Sequence, residues 1–402
     1  MKEMRTEQHQ INKSHPYFKL IDTYCFRSKN LYNYANYIIR QEFINNGNLI
    51  KYREMDKMLN KTEPYKELMS QASQCTLQVL DKNWKSYFVA IKDWKVNPHK
   101  YLGMPKLPNY KKKDGRFPWF LKNNQTYIKD GYLKFRMKIF QGYGFKTKIT
   151  GRLIAVRFIP KGSCYVLEII YEKEIPEIEE TNNNVLGIDL GVNNFVTMVN
   201  NIGERPIIIN GRIIKSYNQW WNKRRAKKMS DLTKRNKKFW CNELDVITRK
   251  RENKINNYLH HVSRFIINYC HYNNIDTIII GKIDTWKQNS PLRNETNQTF
   301  IFIPYEKLIY MLKYKAKDYK IKIIENEESY TSGTSFLDDE LPVKENYDKS
   351  RRIFRGLFQA NDGRIINSDV NGALQIVRKV VPNAFADGIV GSLVPIVINL
   401  GN

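Results

Sequence analysis

Residues 185–200 read "VLGIDLGVNNFVTMVN". Their apolar density suits a strand buried on both faces, yet Asp189 stands between Ile188 and Leu190. A carboxylate in such a strand is unfavourable unless it is paired or binds a metal. Gly187 and Gly191 flank it, so a strand end or a turn at this point is the competing explanation.

Downstream, "NFVTMVN", the turn "NIGE" and "PIIIN" continue the strand as an antiparallel three-stranded meander. A long helical pair over 213–271, a buried strand "DTIIIGK", a helix over 304–319, a strand "KIKIIENEES" and a closing helix near Asp369 follow. That order predicts an α/β domain with helices on both sides of a mixed sheet.

Upstream, residues 17–95 place Leu31, Tyr34, Ala35, Ile38 and Ile39, then Leu77, Leu80, Trp84, Phe88 and Ile91, at helical spacing. They predict an all-helical module. From about 100 to 180, loop-like basic sequence gives way to the alternating "KTKITGRLIAVRFIPKGSCYVLEIIYEKEI", which predicts a β-rich module closing as a small barrel. The acidic, Asn-rich "EIPEIEETNNN" at 174–184 reads as a linker.

The 402 residues carry 67 lysines and arginines against 40 acidic residues, a formal charge of +27 that calls for a polyanionic partner, nucleic acid above all. No run of 18 apolar residues exists, and the N-terminus lacks a signal-peptide core, so a soluble, cytoplasmic protein without a membrane partner is expected. Cys25, Cys75, Cys164, Cys241 and Cys270 lie too far apart for a C-x-x-C zinc half-site and are expected to be reduced and mostly buried.

The second carboxylate of interest is Asp369 in "INSDVNGALQI", where it precedes an apolar helical run and, taken alone, reads better as a plain N-cap. An Asp on the first strand of an α/β domain and another entering its last helix can converge at one sheet edge. Such a pair suits Mg²⁺, a small hard cation.

Together, "GIDLGVNNFVT", the basic helices with "LHHVSRFIINYC", "SYTS" at 329–332 and "SDVNGALQI" resemble TnpB, the transposon-encoded RNA-guided nuclease family related to type V CRISPR effectors. The resemblance covers essentially the whole chain. It implies a multidomain α/β and β architecture: an RNase H-like (RuvC) nuclease domain with a mixed sheet, preceded by a wedge β-barrel with an inserted helical recognition module. Mapped onto this chain, residues 1–16 supply the first barrel strand, 17–96 the helical module, 97–180 the barrel and 181–402 the nuclease domain. It further implies an Asp, Glu, Asp triad binding two Mg²⁺ ions, a transposon-encoded guide RNA, target double-stranded DNA with a short adjacent motif, and a bacterial host.

The triad's first and last members fall on Asp189 and Asp369. Where the resemblance places the glutamate, at the end of "TIIIGKID", this chain has Gly281 and Lys282, with Asp284 out of phase with Gly281. The next strand ends in Glu325, Glu327 and Glu328, and some family members look as if their glutamate has moved to such an "EESYTS" stretch. Glu328 is therefore the expected third catalytic and metal-binding residue, with Glu327 as the alternative and a solvated strand end as the competing explanation. The family's paired C-x-x-C motifs are absent too: residues 329–368 hold no cysteine, so no zinc is expected. Residues 333–365 are expected to replace the zinc ribbon with a small core of Phe336, Leu337, Phe354, Leu357 and Phe358. Adjacent His260 and His261 point to different helix faces and indicate no metal site.

Two basic clusters are expected to bind nucleic acid. Between Arg212 and Arg264, sixteen basic residues face four acidic ones; Lys223, Arg224, Arg225, Lys227, Lys228, Lys234, Arg235, Lys237, Lys238, Arg249, Lys250 and Arg251 are its candidates, interleaved with Trp220, Trp221, Phe239 and Trp240. The other comprises Lys106, Lys111, Lys112, Lys113 and Arg116, near Tyr110, Phe117 and Trp119. The leading expectation is an RNA-guided, Mg²⁺-dependent DNA endonuclease. The alternatives are a guided DNA-binding repressor that does not cut, and a structure-specific nuclease that needs no guide.

Overall fold

The computed structural model describes residues 1–140, 142–178, 182–236, 240–282, 302–354, 356–386, 388 and 391–400. Two compact units divide the chain, residues 2–174 and, with Met1, residues 175–402.

In the first unit, β1 (Lys2–Ile11) runs antiparallel to β7 (Cys164–Glu174), which pairs with β6 (Arg152–Lys161) and through it with β2 (Trp119–Lys122). A separate three-stranded sheet joins β3 (Thr126–Lys129), β4 (Tyr132–Phe135) and β5 (Gly144–Lys146). The pairing thus falls into two antiparallel sheets rather than one hydrogen-bonded barrel. Between β1 and β2 the chain forms α1 (Phe18–Asn46), α2 (Tyr52–Leu59), α3 (Glu63–Lys66) and α4 (Ser70–Val96). Buried Ile21, Cys25, Tyr32, Ala35 and Ile39 give α1 one apolar face, as helical spacing requires. That face packs on α4, where Trp84 donates its indole N–H to Asn36 Oδ1 at 3.0 Å.

The second unit holds a six-stranded sheet. Its meander of β8 (Val185–Leu190), β9 (Asn194–Asn200) and β10 (Ile207–Asn210) is antiparallel, as its sequence predicts. Next to β8 and parallel to it lies β11 (Thr277–Lys282), followed by parallel β12 (Lys322–Glu327). The far edge is β15 (Ile396–Ile398), parallel to β10, so the C-terminal tail joins the sheet. Strands β8, β10, β11, β12 and β15 therefore point the same way, and their C-terminal ends share one edge.

Helices cover both faces. Helix α6 (Asn242–Tyr272) and α7 (Tyr305–Lys317) bury Leu259, Val262, Ile266, Leu308 and Leu312 against Leu186, Ile188, Ile278 and Ile280. The other face receives α8 (Ser368–Val380), through Val370, Ala373, Ile376 and Val377. Gly187 makes that crossing close: a Cβ there would stand 2.3 Å from Val377 Cγ2 and 2.9 Å from the Ala373 carbonyl. Among the described residues no helix is long and apolar enough to cross a membrane.

The segment 333–365, with the short strands β13 (Leu357–Gln359) and β14 (Ile365–Asn367) at its end, departs from the core expected of it. Phe336 and Phe358 are buried, but Phe354 and Leu357 are exposed. Arginines take over the organising role. Arg351 donates to both carboxylate oxygens of Glu340 at 2.8 and 2.7 Å, reaches Asp338 at 3.4 Å and lies over the Phe358 ring. Arg378 of α8 covers the Phe336 ring, bonds the Phe336 carbonyl at 3.1 Å and pairs with Asp339 at 2.7 Å. Removing Arg351 would leave two shielded carboxylates without their cation, so Arg351→Ala should lower stability by about 2–3 kcal/mol. Faster limited proteolysis within 333–365, together with a lower Tm, is the expected readout.

Candidate active site

The site begins at the C-terminal end of β8. Every β8 residue is buried except Asp189, which keeps a partial opening to solvent although protein surrounds it deeply. Gly372 of α8 makes room for it: a Cβ at that position would lie 3.2 Å from Asp189 Oδ2. Burial first, then the carboxylates of Glu328 and Asp369, push the Asp189 carboxyl well above the usual range, while Arg352 works in the opposite direction. The carboxylate in the strand is therefore part of an acidic cluster at the shared sheet edge.

Asp369 reaches the cluster because Asn367 caps α8 in its place. The Asn367 side chain accepts from the backbone N–H of Asp369 at 3.0 Å and of Val370 at 3.2 Å. Asp369, in the first turn, is free of that duty; its Oδ2 accepts from Asn194 Nδ2 at 2.6 Å, and Arg352 stands 3.9 Å from its Oδ1.

The three glutamates at the end of β12, Glu325 and Glu327 within it and Glu328 just after it, separate by partner. Glu325 bonds Lys282 at 3.1 Å and Lys313; burial alone would raise its pKa, but the two ammoniums outweigh burial and hold it below the usual range. Glu327 is half exposed, tied to the Ser329 hydroxyl and N–H and to Lys379 at 2.9 Å, and is likewise held low by them. Glu328 alone turns toward Asp189. Its Oε2 lies 2.7 Å from the point where a Cβ on Gly281 would stand, so it fills the space that a side chain at 281 would need. Asp284 lies outside the described residues.

Beneath the cluster, Tyr305 of α7 is buried and donates its hydroxyl to the Gly191 carbonyl at 2.9 Å. Burial, then Asp189 and Glu328, keep that phenol protonated by raising its pKa. Asp369 also lines a cleft of about 600 Å³, together with Gly191, Asn193, Asn194, Arg352 and Phe354. Asn194, Arg352, Tyr305 and Asn367 were not singled out by sequence reasoning; Asn194, inside "GVNN", and Asn367, inside "INSDVNGALQI", lay within quoted motifs.

The donor set of three carboxylates suits a hard divalent cation. Repulsion among them, seen in the raised Asp189, is what such a cation would relieve. Among the described residues, however, no three His, Cys, Asp or Glu side chains already converge as a metal-holding group.

The basic clusters sort into free and committed cations. On α5 (Arg212–Asn236), Lys223, Arg224, Lys227, Lys234 and Arg235 are exposed, whereas Arg225 and Lys228 are half-buried, the latter paired with Glu243. Lys250 of α6 is exposed and Arg249 half-buried; Lys237, Lys238 and Phe239 lie outside the described residues. Arg251 is structural: it bonds Asn218 Oδ1 at 2.7 Å and the Phe302 carbonyl at 3.2 Å, under the Trp221 ring. Trp221 is buried, leaving Trp220 and Trp240 as accessible aromatics. In the first unit Arg116 is likewise committed, in a two-pronged pair with Asp22 at 2.9 and 2.8 Å. Lys111 lies against the Tyr32 and Phe117 rings, and Phe117 and Trp119 are core residues rather than base-stacking surfaces. Lys106, Lys112, Lys113 and Tyr110 remain exposed.

Comparison with known proteins agrees with this fold. A family profile described as probable transposase (OrfB_IS605) matches residues 168–287, and the Cas12f1-like TNB domain profile matches residues 305–376. The TnpB-like protein ORF457 of Acidianus two-tailed virus is 26% identical over 398 residues, spanning 88% of this chain and 82% of its own. Among solved structures, Cas12f1 from a Cas12f1–sgRNA–target DNA complex superposes with a TM-score of 0.56 at 15% identity, over 89% of this chain and 82% of that one. The mixed α/β architecture is thus of the Cas12f1 kind. The chain is similar to TnpB-like proteins over most of its length.

Proposed function

We propose that this protein is an RNA-guided DNA endonuclease whose cutting site is the cluster of Asp189, Glu328 and Asp369. In this reading the second unit is a RuvC-like, RNase H-type nuclease domain, and the first a wedge β-module with a helical recognition module inserted between β1 and β2. The observation that carries it is the Glu328 carboxylate at the Gly281 gap, with Glu328 and Asp369 both close enough to raise the proton affinity of Asp189. A relocated glutamate would complete the three-carboxylate set of a metal-dependent nuclease.

Asp189, Glu328 and Asp369 would hold Mg²⁺, which supplies Lewis acidity for phosphodiester hydrolysis. The chain's own residues prepare the place. Asn194 orients Asp369, Asn367 relieves it of capping, and Tyr305 fixes the Gly191 turn after Asp189. Arg352, at the cleft wall, offers a cation to an entering phosphate. A guide RNA supplies sequence specificity by pairing with target DNA, and exposed α5 cations such as Lys223, Arg224 and Lys227 hold backbone phosphates.

The test is cleavage of a plasmid library by protein purified with its co-expressed RNA, with Mg²⁺ and with EDTA. Cutting beside a short motif, abolished by EDTA, is the expected result. RNA-dependent DNA binding without any cutting would replace the nuclease reading with that of a guided binder.

A further inference from the structure

Next to the carboxylate cleft lies a second one of about 500 Å³, lined by Asn193, Asn194, Asn210, Arg212, Lys215 and Val397. Asn193 and Asn194 wall both clefts, so the two are contiguous. The sheet explains the arrangement. Because β8 and β10 point the same way, the end of β10 at Asn210 and the start of α5 at Arg212 share an edge with the end of β8 at Asp189.

The two halves differ in charge. Of the three acids, Asp369 lines the first, together with Arg352; the second has no acid in its lining and presents Arg212, which is exposed, and Lys215, whose ammonium has only the Asn193 amide oxygen 3.4 Å away. Neither cation has a carboxylate partner among the described residues, in contrast to Arg116 or Arg351. Asn194 stands at the junction with its amide on Asp369. A polar trough with free cations, leading from a cluster of acids, fits an anion extended in one dimension.

We propose that this second cleft is a phosphate subsite, in which Arg212 and Lys215 grip the backbone of the polynucleotide strand just beside the bond presented to Asp189, Glu328 and Asp369. This rests on the carboxylate cleft being the cutting site. Its role is to fix the register of the strand, so that one phosphodiester and not its neighbour lies at the acids.

The experiment compares wild type, R212Q/K215Q and the charge-keeping R212K/K215R, each as the RNA complex. Binding of a fluorescent single-stranded deoxyoligonucleotide is followed by anisotropy from about 50 to 200 mM salt, and cut positions are mapped on sequencing gels. For R212Q/K215Q, affinity should fall roughly tenfold or more and the salt slope by about one to two phosphate contacts. Its cuts should spread over neighbouring bonds, and R212K/K215R should restore both properties. Unchanged affinity, salt slope and cut positions in R212Q/K215Q would overturn the subsite, as would equal losses in R212K/K215R, which would signal a structural defect. If wild type binds the oligonucleotide in an Arg212- and Lys215-dependent way but never cuts, the nuclease reading fails while the phosphate subsite stands.

Discussion

Asp189→Asn is expected to end cleavage and, at the same time, to make the protein harder to melt. The first effect follows from losing a carboxylate that acts with Glu328 and Asp369 as a unit, where a single deletion costs on the order of 10³-fold or more in rate. The second follows from electrostatics. Burial and two neighbouring carboxylates hold the folded-state pKa of Asp189 well above its ordinary 3.8, so the charged form is disfavoured by folding. That penalty is absent below the unfolded value, grows as pH rises from 3.8 toward the raised folded value, and is complete above it. An amide of the same shape carries no such penalty. In EDTA near neutral pH, Asp189→Asn should therefore melt higher, by about 2–4 °C for each kcal/mol of repulsion relieved. Divalent cation should raise the Tm of wild type more than that of the variant. RNA affinity should be unchanged. Cleavage that persists in Asp189→Asn would remove the residue from the chemistry, and a lowered Tm in EDTA would contradict the electrostatic account.

What the sequence revealed about this site, and what it concealed, follows from the range of the interactions involved. The β8 to β10 meander, the helical pair and α8 were legible because periodicity and turn residues are local signals. Asp189 and Asp369 stood out because each interrupts or precedes an apolar run. The local rule erred at the α8 terminus, where Ser368 and Asp369 sit beside Asn367 and any of them can cap; the backbone gave the cap to Asn367. Counting charges overstated the basic surface for a similar reason. The partners that commit Arg116 and Arg251 are Asp22 and the Phe302 carbonyl, 94 and 51 residues away in sequence, where no window finds them. Phe354 and Leu357 illustrate the reverse error, since apolar residues in a short segment were assigned to a core that arginines organise instead.

The choice between Glu328 and Glu327 carries the other large effect. Glu328→Gln should reduce cleavage on the order of 10³-fold, as Asp189→Asn does. Glu327→Gln should change it less than about threefold, because it breaks a half-exposed pair with Lys379, worth at most about 1 kcal/mol. Alternation cannot separate these neighbours, but Gly281 can. A Cβ on Gly281 would stand 2.5 Å from Ile376 Cδ1 and 2.7 Å from Glu328 Oε2, too close for either to stay. Gly281→Ala should thus destabilise the fold by about 1–3 kcal/mol and impair cutting by pushing the carboxylate aside. Placed on Glu328→Gly, which vacates half of that space, the same alanine should cost less stability than it does alone, a non-additivity expected of two groups competing for one volume. Gly281→Glu combined with Glu328→Gly and Ile376→Val then offers a carboxylate from the neighbouring strand, and recovery of any Mg²⁺-dependent cutting over Glu328→Gly would show that the site requires the charge rather than its position in the chain. If Glu328→Gln cuts like wild type while Glu327→Gln does not, the third carboxylate is Glu327, and it would have to leave Lys379 to act. The distances argue against that exchange, because Glu327 would give up a cation to enter a cluster where repulsion already raises the pKa of Asp189.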